Sequence, residues 1–106
     1  MKKDKVIKLS EKDISDELRL VNNWNLNSDL KGINKTFIFS NFREAFSWMT
    51  YISLEAEKNN HHPDWKNIYN KVIVNLSTHD VDGLSYKDFI LAKVMDSYYS
   101  KFNITR

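Results

Sequence analysis

Apolar residues recur at intervals of three and four in three stretches of the chain, which is the spacing of an amphipathic helix. We predict the first helix from Ser10 to about Asn22, the second from Asn41 to about Asn59, and the third from Ser85 onward. Each begins with a capping pattern, in which Ser or Asn is followed three residues later by Asp or Glu. The predicted apolar faces are Ile14, Leu18 and Val21 in the first helix, Phe42, Ala45, Phe46, Met49, Ile52 and Ala56 in the second, and Leu91, Ala92, Met95, Tyr98, Tyr99 and Phe102 in the third.

Four stretches outside these helices have the alternation or the β-branched content of strands. Trp24–Leu26 and Ile33–Phe39 flank a segment rich in turn formers, which predicts a β-hairpin. Ile68-Tyr69 and Val72–Leu76 flank Asn70-Lys71, a two-residue turn that predicts a second hairpin. The element order is therefore α-β-β-α-β-β-α. Two hairpins predict a four-stranded, mostly antiparallel sheet with helices packed on one face, a two-layer α+β fold.

The composition narrows the class of protein. A chain of 106 residues is one domain, and we expect its charged first nine residues to be frayed. The formal net charge of +2 is too small to indicate a nucleic acid or an anionic membrane as partner. The absence of cysteine excludes disulfides and Cys nucleophiles. No apolar run approaches the roughly 18 residues that a membrane span needs, and the N-terminus lacks a signal-peptide pattern, so we expect a cytoplasmic protein, with the nucleus as a second possible location.

All three histidines flank the second predicted hairpin. His61 and His62 precede its first strand, and His79 follows its second strand. Because the two strands of a hairpin pair with each other, the segments before and after it lie at the same end of the sheet. Imidazole has an ordinary pKa of about 6.5 and can accept or donate a proton near neutrality. The cluster therefore predicts acid–base catalysis, although a single histidine is more often structural.

Two carboxylates and a metal ion are open alternatives around this cluster. Glu57 lies four residues before His61, where it could orient an imidazole or bind a substrate N–H, or could simply be an exposed helical residue. Asp88 is either a helix cap or part of the site. Three histidines also leave a zinc site open, although their spacing lacks a helical i, i+4 pair. A Ser or Thr nucleophile at residues 77–78 stays possible without a nucleophile elbow.

Three ordered segments resemble a known family. Residues 57–65 read E-K-N-N-H-H-P-D-W, residues 68–74 read I-Y-N-K-V-I-V, and residues 76–84 read L-S-T-H-D-V-D-G-L, with Asp88 shortly after. In this order and spacing they resemble the pterin-4a-carbinolamine dehydratases, over nearly the whole chain. The family fold is an α+β unit with helices on one face of a four-stranded antiparallel sheet, which agrees with the order predicted above.

The resemblance implies a dehydratase that uses no metal and no organic cofactor. Members of the family convert 4a-hydroxytetrahydrobiopterin to quinonoid dihydrobiopterin and water, a step in tetrahydrobiopterin recycling. By matching positions, the implied catalytic residues are His61, His62 and His79, the implied substrate-binding residues are Glu57, Pro63, Thr78 and Val81, and Asp88 supports the histidines from behind. His61 and His79 are the implied proton-handling pair, and His62 is implied to contact the pterin.

This chain departs from the family pattern beside the first histidine. It has Asn60 before His61, where an acidic residue is common in the family, so a second carboxylate next to His61 is not supported.

The resemblance also bears on partners. Family members form homodimers and homotetramers, and we expect one of these states here. Some animal members also bind a homeodomain transcription factor and stabilise its dimer. A protein-binding module is therefore the alternative function.

Overall fold

A computed structural model describes residues 5–102 of the chain. The predicted order of elements is confirmed, and so is the two-layer α+β fold. The elements are α1 (Glu11–Leu18), β1 (Asn25–Leu26), β2 (Ile33–Ile38), α2 (Phe42–Lys58), β3 (Asp64–Ile68), β4 (Lys71–Leu76) and α3 (Tyr86–Tyr99), with a short 3₁₀ turn, His79–Val81, between β4 and α3.

The two hairpins join through their inner strands into one antiparallel sheet. The strand order is β1-β2-β4-β3, and the central pair runs from Ile33 opposite Leu76 to Ile38 opposite Lys71. Side chains alternate across the sheet, so that most apolar residues of the two central strands that face the helices are fully buried, whereas Ile38 is 48% exposed on the other face. The helices therefore cover a single face, as predicted.

Helix α2 buries part of the predicted face, including Ala45, Ile52 and Ala56, but it is rotated so that Trp48 points inward in place of Phe42 and Phe46. Ala45, Trp48, Ile52 and Ala56 are the buried residues of this helix, whereas Phe42 and Phe46 are 48% and 54% exposed. Trp48 packs against Phe37 at a ring-centroid distance of 4.5 Å, and its indole Nε1–H donates to the Met95 carbonyl at 3.2 Å. The helix turns Trp48 inward because this side chain has both the largest apolar area to bury and a buried acceptor for its N–H.

The first helix is shorter than predicted. It ends at Leu18 because the N–H groups of Arg19 and Leu20 bond to carbonyls three residues back, at 3.3 and 2.9 Å, which tightens the last turn. Val21 is buried beyond the helix end.

The sequence predicts that the first nine residues are frayed. Residues 1–4 lie outside the described range. Leu9, in contrast, is buried, and its N–H donates to the Leu84 carbonyl at 2.8 Å.

The second hairpin has its turn one residue earlier than predicted. The turn residues are Tyr69 and Asn70, and Tyr69 has a φ of 51°. The Asn70 amide donates to the Phe39 carbonyl at 2.8 Å, which holds the turn against the end of β2. Strand β3 begins at Asp64, four residues before the predicted start at Ile68. The sequence pattern missed these residues because the side chains of this polar edge strand alternate only between half-buried and exposed positions.

Candidate active site

The carboxyl end of α2 sets the direction in which His61 leaves the helix. Asn60 has a φ of 52°, in the left-handed region that asparagine adopts more readily than most residues. Its N–H donates to the Glu57 carbonyl at 3.1 Å, and the His61 N–H donates to the Ala56 carbonyl at 3.0 Å. These two bonds form a Schellman motif, so Asn60 at this position ends the helix and reverses the chain.

A closed loop after β4 carries His79. The Thr78 N–H donates to the Gly83 carbonyl at 2.7 Å, which closes the loop at its base. The 3₁₀ turn that begins at His79 lies within it, and Asp82 has a left-handed φ of 50° where the turn ends. His79 is therefore held on a short, hydrogen-bonded loop.

A cavity of about 290 Å³ lies between these two segments. Asp64 of β3 is paired with Asn75 of β4, so the residues before β3 and after β4 lie side by side. The volume lies just below the usual range for small-molecule sites, about 300–1,000 Å³. The cavity is lined by Asn60, His61, His62, Ser77, Thr78, His79, Asp80 and Lys87. The structure thus brings all three histidines to one cavity.

The first histidine of the cluster contacts a buried carboxylate. His61 Nε2 lies 2.6 Å from Asp88 Oδ1, and the Asp88 side chain has no exposed surface. The second oxygen, Asp88 Oδ2, accepts the Thr78 hydroxyl at 2.7 Å and the Ser85 backbone N–H at 3.0 Å. Asp88 is therefore both the capping-box residue of α3 and a direct partner of His61, which unites the two alternatives left open by the sequence.

The second histidine contacts an exposed carboxylate. His62 Nε2 lies 3.0 Å from Glu57 Oε1, and these side chains are 59% and 81% exposed. Spacing suggested that Glu57 would face His61, one helical turn on. The chain reversal at Asn60 instead presents His62 to this carboxylate.

Not every residue implied by the resemblance lines the cavity. Pro63 and Val81 are partly buried, and neither belongs to the cavity wall; Glu57 reaches the site only through His62. Their assignment as substrate-binding residues stays a prediction.

Sequence reasoning did not assign Lys87 or Ser85 to the site. Lys87 lines the cavity, and the Ser85 hydroxyl lies 2.7 Å from the Thr78 hydroxyl. Ser85 was identified only as a helix cap. Its position three residues before Asp88 was the available signal, because a capping box brings these two residues into contact.

One further ion pair ties the His79 loop to the first hairpin. Lys31 Nζ lies 3.1 Å from Asp82 Oδ2, and both side chains are largely exposed. The hydrogen bond and the positive charge of Lys31 lower the pKa of Asp82 from its ordinary value.

Metal binding, a membrane-spanning helix and a second cavity are the other features that bear on function. Among residues 5–102, no three His, Asp or Glu side chains are placed to hold a metal ion. Within the same range no helix combines the length and apolarity needed to span a membrane. A larger, mainly apolar cavity of about 570 Å³ lies between α1 and the β1–β2 connection, and no histidine lines it.

Comparison with known proteins identifies the family. Residues 7–98 match the family model described as pterin 4 alpha carbinolamine dehydratase. The chain belongs to the pterin-4a-carbinolamine dehydratase family. Two curated relatives, from Sinorhizobium fredii and Christiangramia forsetii, are each named "Putative pterin-4-alpha-carbinolamine dehydratase". The first is 53% identical over 89 residues, covering 84% of this chain and 85% of that protein. The second is 44% identical over 96 residues, covering 91% and 97%.

The dehydratase fold is also found in a solved structure. A crystal structure from Brucella melitensis, described as a transcriptional coactivator/pterin dehydratase, superposes with a TM-score of 0.84 at 35% sequence identity. The match covers 86% of this chain and 97% of that chain. The three-helix, four-strand architecture is therefore that of a pterin dehydratase.

Proposed function

We propose that this chain is a 4a-hydroxytetrahydrobiopterin dehydratase that acts in tetrahydrobiopterin recycling. The observation that carries the proposal is the cavity in which His61, His62 and His79 converge. Family membership over residues 7–98 supports the same reaction. The proposal places the reaction in the cytoplasm.

The reaction requires proton transfers that imidazoles can perform. The bond between C4a and the hydroxyl oxygen breaks, and that oxygen must receive a proton to leave as water. Electrons from N5 form the C4a–N5 double bond, and the N5 proton is then lost to give the neutral quinonoid dihydropterin. The sum is the loss of one water molecule. Positioned acids and bases typically accelerate such steps by about 10²–10⁴-fold.

The positions of the histidines suggest a division of roles. His61 and His79 approach from different chain segments, so we assign them the proton transfers on opposite sides of the ring, each able to act as an acid. His62 contacts the pterin and can serve as a base. Glu57, which is exposed beside His62, accepts hydrogen bonds from the pterin's ring N–H or amino group. The buried Asp88 holds His61.

A stopped-flow absorbance assay tests the proposal. Chemically generated 4a-hydroxytetrahydropterin is mixed with the wild-type protein and with His62→Ala, each with and without EDTA. We expect a clear acceleration over buffer that the substitution greatly weakens and EDTA leaves unchanged. Thr36→Val, on the exposed outer face of the sheet, is the control and should match wild type.

The assay has two outcomes that would count against the proposal. Dehydration no faster than in buffer would reject the activity. Loss of the acceleration in EDTA, with recovery on adding a divalent metal, would reject the metal-independent mechanism.

We also propose that the protein is a homodimer or homotetramer. Phe42 and Phe46 stack at a centroid distance of 5.6 Å on the exposed side of α2, and Leu54 on the same helix is 64% exposed. Apolar side chains grouped in this way are typical of an interface. Light scattering should show a dimer or tetramer for wild type and a smaller species for Phe46→Lys, whereas a monomeric wild type would reject this assembly.

The alternative function is a protein-binding module that acts as a dimerisation partner of a transcription factor. The coactivator description of the Brucella melitensis protein and the same exposed α2 surface favour it as a second candidate. His79→Ala should abolish dehydration and leave such binding intact, because His79 lies on the loop after β4 and not on α2.

A further inference from the structure

A buried chain of hydrogen bonds runs from His61 into the protein. Asp88, Ser85 and Thr78 are 0%, 2% and 4% exposed, and they are the three buried polar or charged residues among residues 5–102. His61 contacts Asp88 Oδ1 at 2.6 Å, Thr78 contacts Asp88 Oδ2 at 2.7 Å, and the Ser85 hydroxyl contacts the Thr78 hydroxyl at 2.7 Å. Burying polar groups this deeply reduces the stability of the fold unless every group is hydrogen-bonded, so this hydrogen-bond network is a candidate for a specific role.

The donor and the acceptor of each hydrogen bond in this buried network follow from the groups that take part in it. The Ser85 backbone N–H can only donate, and it donates to Asp88 Oδ2. The Thr78 hydroxyl donates its single hydrogen to the same oxygen, so it can only accept from Ser85. The Ser85 hydroxyl donates to Thr78 and accepts the Lys87 backbone N–H at 3.2 Å. Asp88 Oδ2 thus receives two hydrogens and carries none of its own.

This arrangement decides which nitrogen of His61 holds a hydrogen. The remaining oxygen, Oδ1, faces His61 Nε2, and a carboxylate in its ordinary ionised form can only accept, so the donor there is His61 Nε2–H. Nδ1 of His61 then has no hydrogen in the neutral ring, and it has no hydrogen-bond partner among residues 5–102. His61 also lines the cavity, and Nδ1 is its ring nitrogen that is not held by Asp88.

We propose that Thr78 and Ser85 are positioning residues. Through Asp88 they hold His61 in the Nε2–H tautomer, and Nδ1 is then the nitrogen that transfers a proton to or from the pterin. This inference rests on the proposed dehydratase function. It also assigns Thr78 a role other than hydrogen bonding to the substrate, because its only hydroxyl hydrogen is already donated to Asp88.

The first test is spectroscopic and does not depend on activity. The ¹⁵N NMR signals of His61, assigned by their absence in His61→Gln, report which ring nitrogen carries the hydrogen at alkaline pH, where free imidazole is neutral. We expect Nε2–H in the wild type. We expect Nδ1–H in Asp88→Asn, because its amide group can donate to Nε2 while its oxygen keeps both buried donors. Nδ1–H in the wild type would overturn the proposal even if the protein proved inactive.

The second test separates positioning from substrate binding. Thr78→Val keeps the shape and removes the hydroxyl, and we expect kcat to fall about 10–100-fold with KM nearly unchanged, since the transition state alone loses an oriented imidazole. Thr78→Ser restores the hydroxyl and should recover kcat to within about threefold of wild type. Asp88→Asn should lower kcat by about 10²–10⁴-fold. Thr36→Val is the matched control on the outer face of the sheet.

The kinetic outcomes are distinguishable from loss of the dehydratase itself. A raised KM with unchanged kcat in Thr78→Val would show that this hydroxyl binds substrate, and would overturn the positioning role while leaving the dehydratase intact. An inactive wild type with His61 in the Nε2–H tautomer would reject the dehydratase and retain the tautomer assignment. Circular dichroism of each variant confirms that the fold is kept.

Discussion

Two adjacent histidines each contact a carboxylate, in opposite surroundings. The His61–Asp88 pair has an 11% exposed imidazole and a carboxylate with no exposed surface, at 2.6 Å. The His62–Glu57 pair has side chains 59% and 81% exposed, at 3.0 Å. Both histidines come from the same turn at the end of α2, but His61 meets a carboxylate of α3 and His62 a carboxylate of α2 itself.

The comparison shows how one site combines a rigid half and an adaptable half. The buried pair is embedded among donors that leave Asp88 a single arrangement, and solvent cannot replace its partner. The exposed pair is screened by water and salt, so it contributes little to folding and can exchange its partner for a ligand. A fixed group suits proton transfer, which depends on geometry, and an adaptable group suits capture of the substrate.

Substituting each histidine should separate the two halves most clearly. His61→Ala and His62→Ala should each lower kcat by about 10²–10⁴-fold, the range typical of a lost acid or base. Added imidazole should restore a larger share of the activity to His62→Ala, whose side chain is 59% exposed, than to His61→Ala, whose side chain is 11% exposed. The measurement is the initial rate against imidazole concentration, with wild type as the control. Equal rescue of both variants would contradict the distinction.

The carboxylates should differ in what they contribute to stability. Asp88→Ala leaves the Thr78 hydroxyl, the Ser85 N–H and His61 without their acceptor, and should reduce the free energy of unfolding by about 3–5 kcal/mol. Glu57→Ala should change it by less than about 0.5 kcal/mol, as is usual for an exposed residue. Urea unfolding followed by tryptophan fluorescence measures both. Similar losses would show that burial does not distinguish the pairs.

The exposed carboxylate should act on substrate binding. Glu57→Gln removes the charge of the acceptor, and a hydrogen bond to a charged group is worth about 1.5–3 kcal/mol. We therefore expect KM for the pterin to rise about 10–100-fold, since each 1.4 kcal/mol is about tenfold. Steady-state kinetics gives the answer, with Glu55→Gln, two residues earlier on α2, as the matched control. A fall in kcat with KM unchanged would instead place Glu57 in the chemistry.

The smallest effect is expected at the largely exposed Lys31–Asp82 ion pair, which serves as a reference for the His62–Glu57 pair. Lys31 lowers the pKa of Asp82 below its ordinary value of 3.8, so the pair stabilises the fold above that pH, and the contribution is lost as the pH falls through the lowered pKa. The difference in Tm between wild type and Asp82→Asn should be small at neutral pH and vanish in acid. A difference that grew on acidification would contradict this sign.

Much of the fold could be predicted because its signals are local. The capping patterns at Ser10, Asn41 and Ser85 predicted where the helices begin, and each of these side chains accepts a hydrogen bond from the first turn that follows. The alternation in β2 and β4 predicted the two central strands. Strand β3 was mostly missed, since an edge strand with polar residues buries too little to show a periodic pattern.

The amino-acid sequence alone determined the element order and, through the pairing of the second hairpin, the convergence of His61, His62 and His79. Only the tertiary structure decided which carboxylate each histidine contacts. Glu57 faces His62 because Asn60 reverses the chain, and His61 meets Asp88 because α3 packs where the chain from α2 turns back. Burial of Asp88 beside Thr78 and Ser85 depends on residues far apart in the chain, so no local pattern could reveal which nitrogen of His61 remains free.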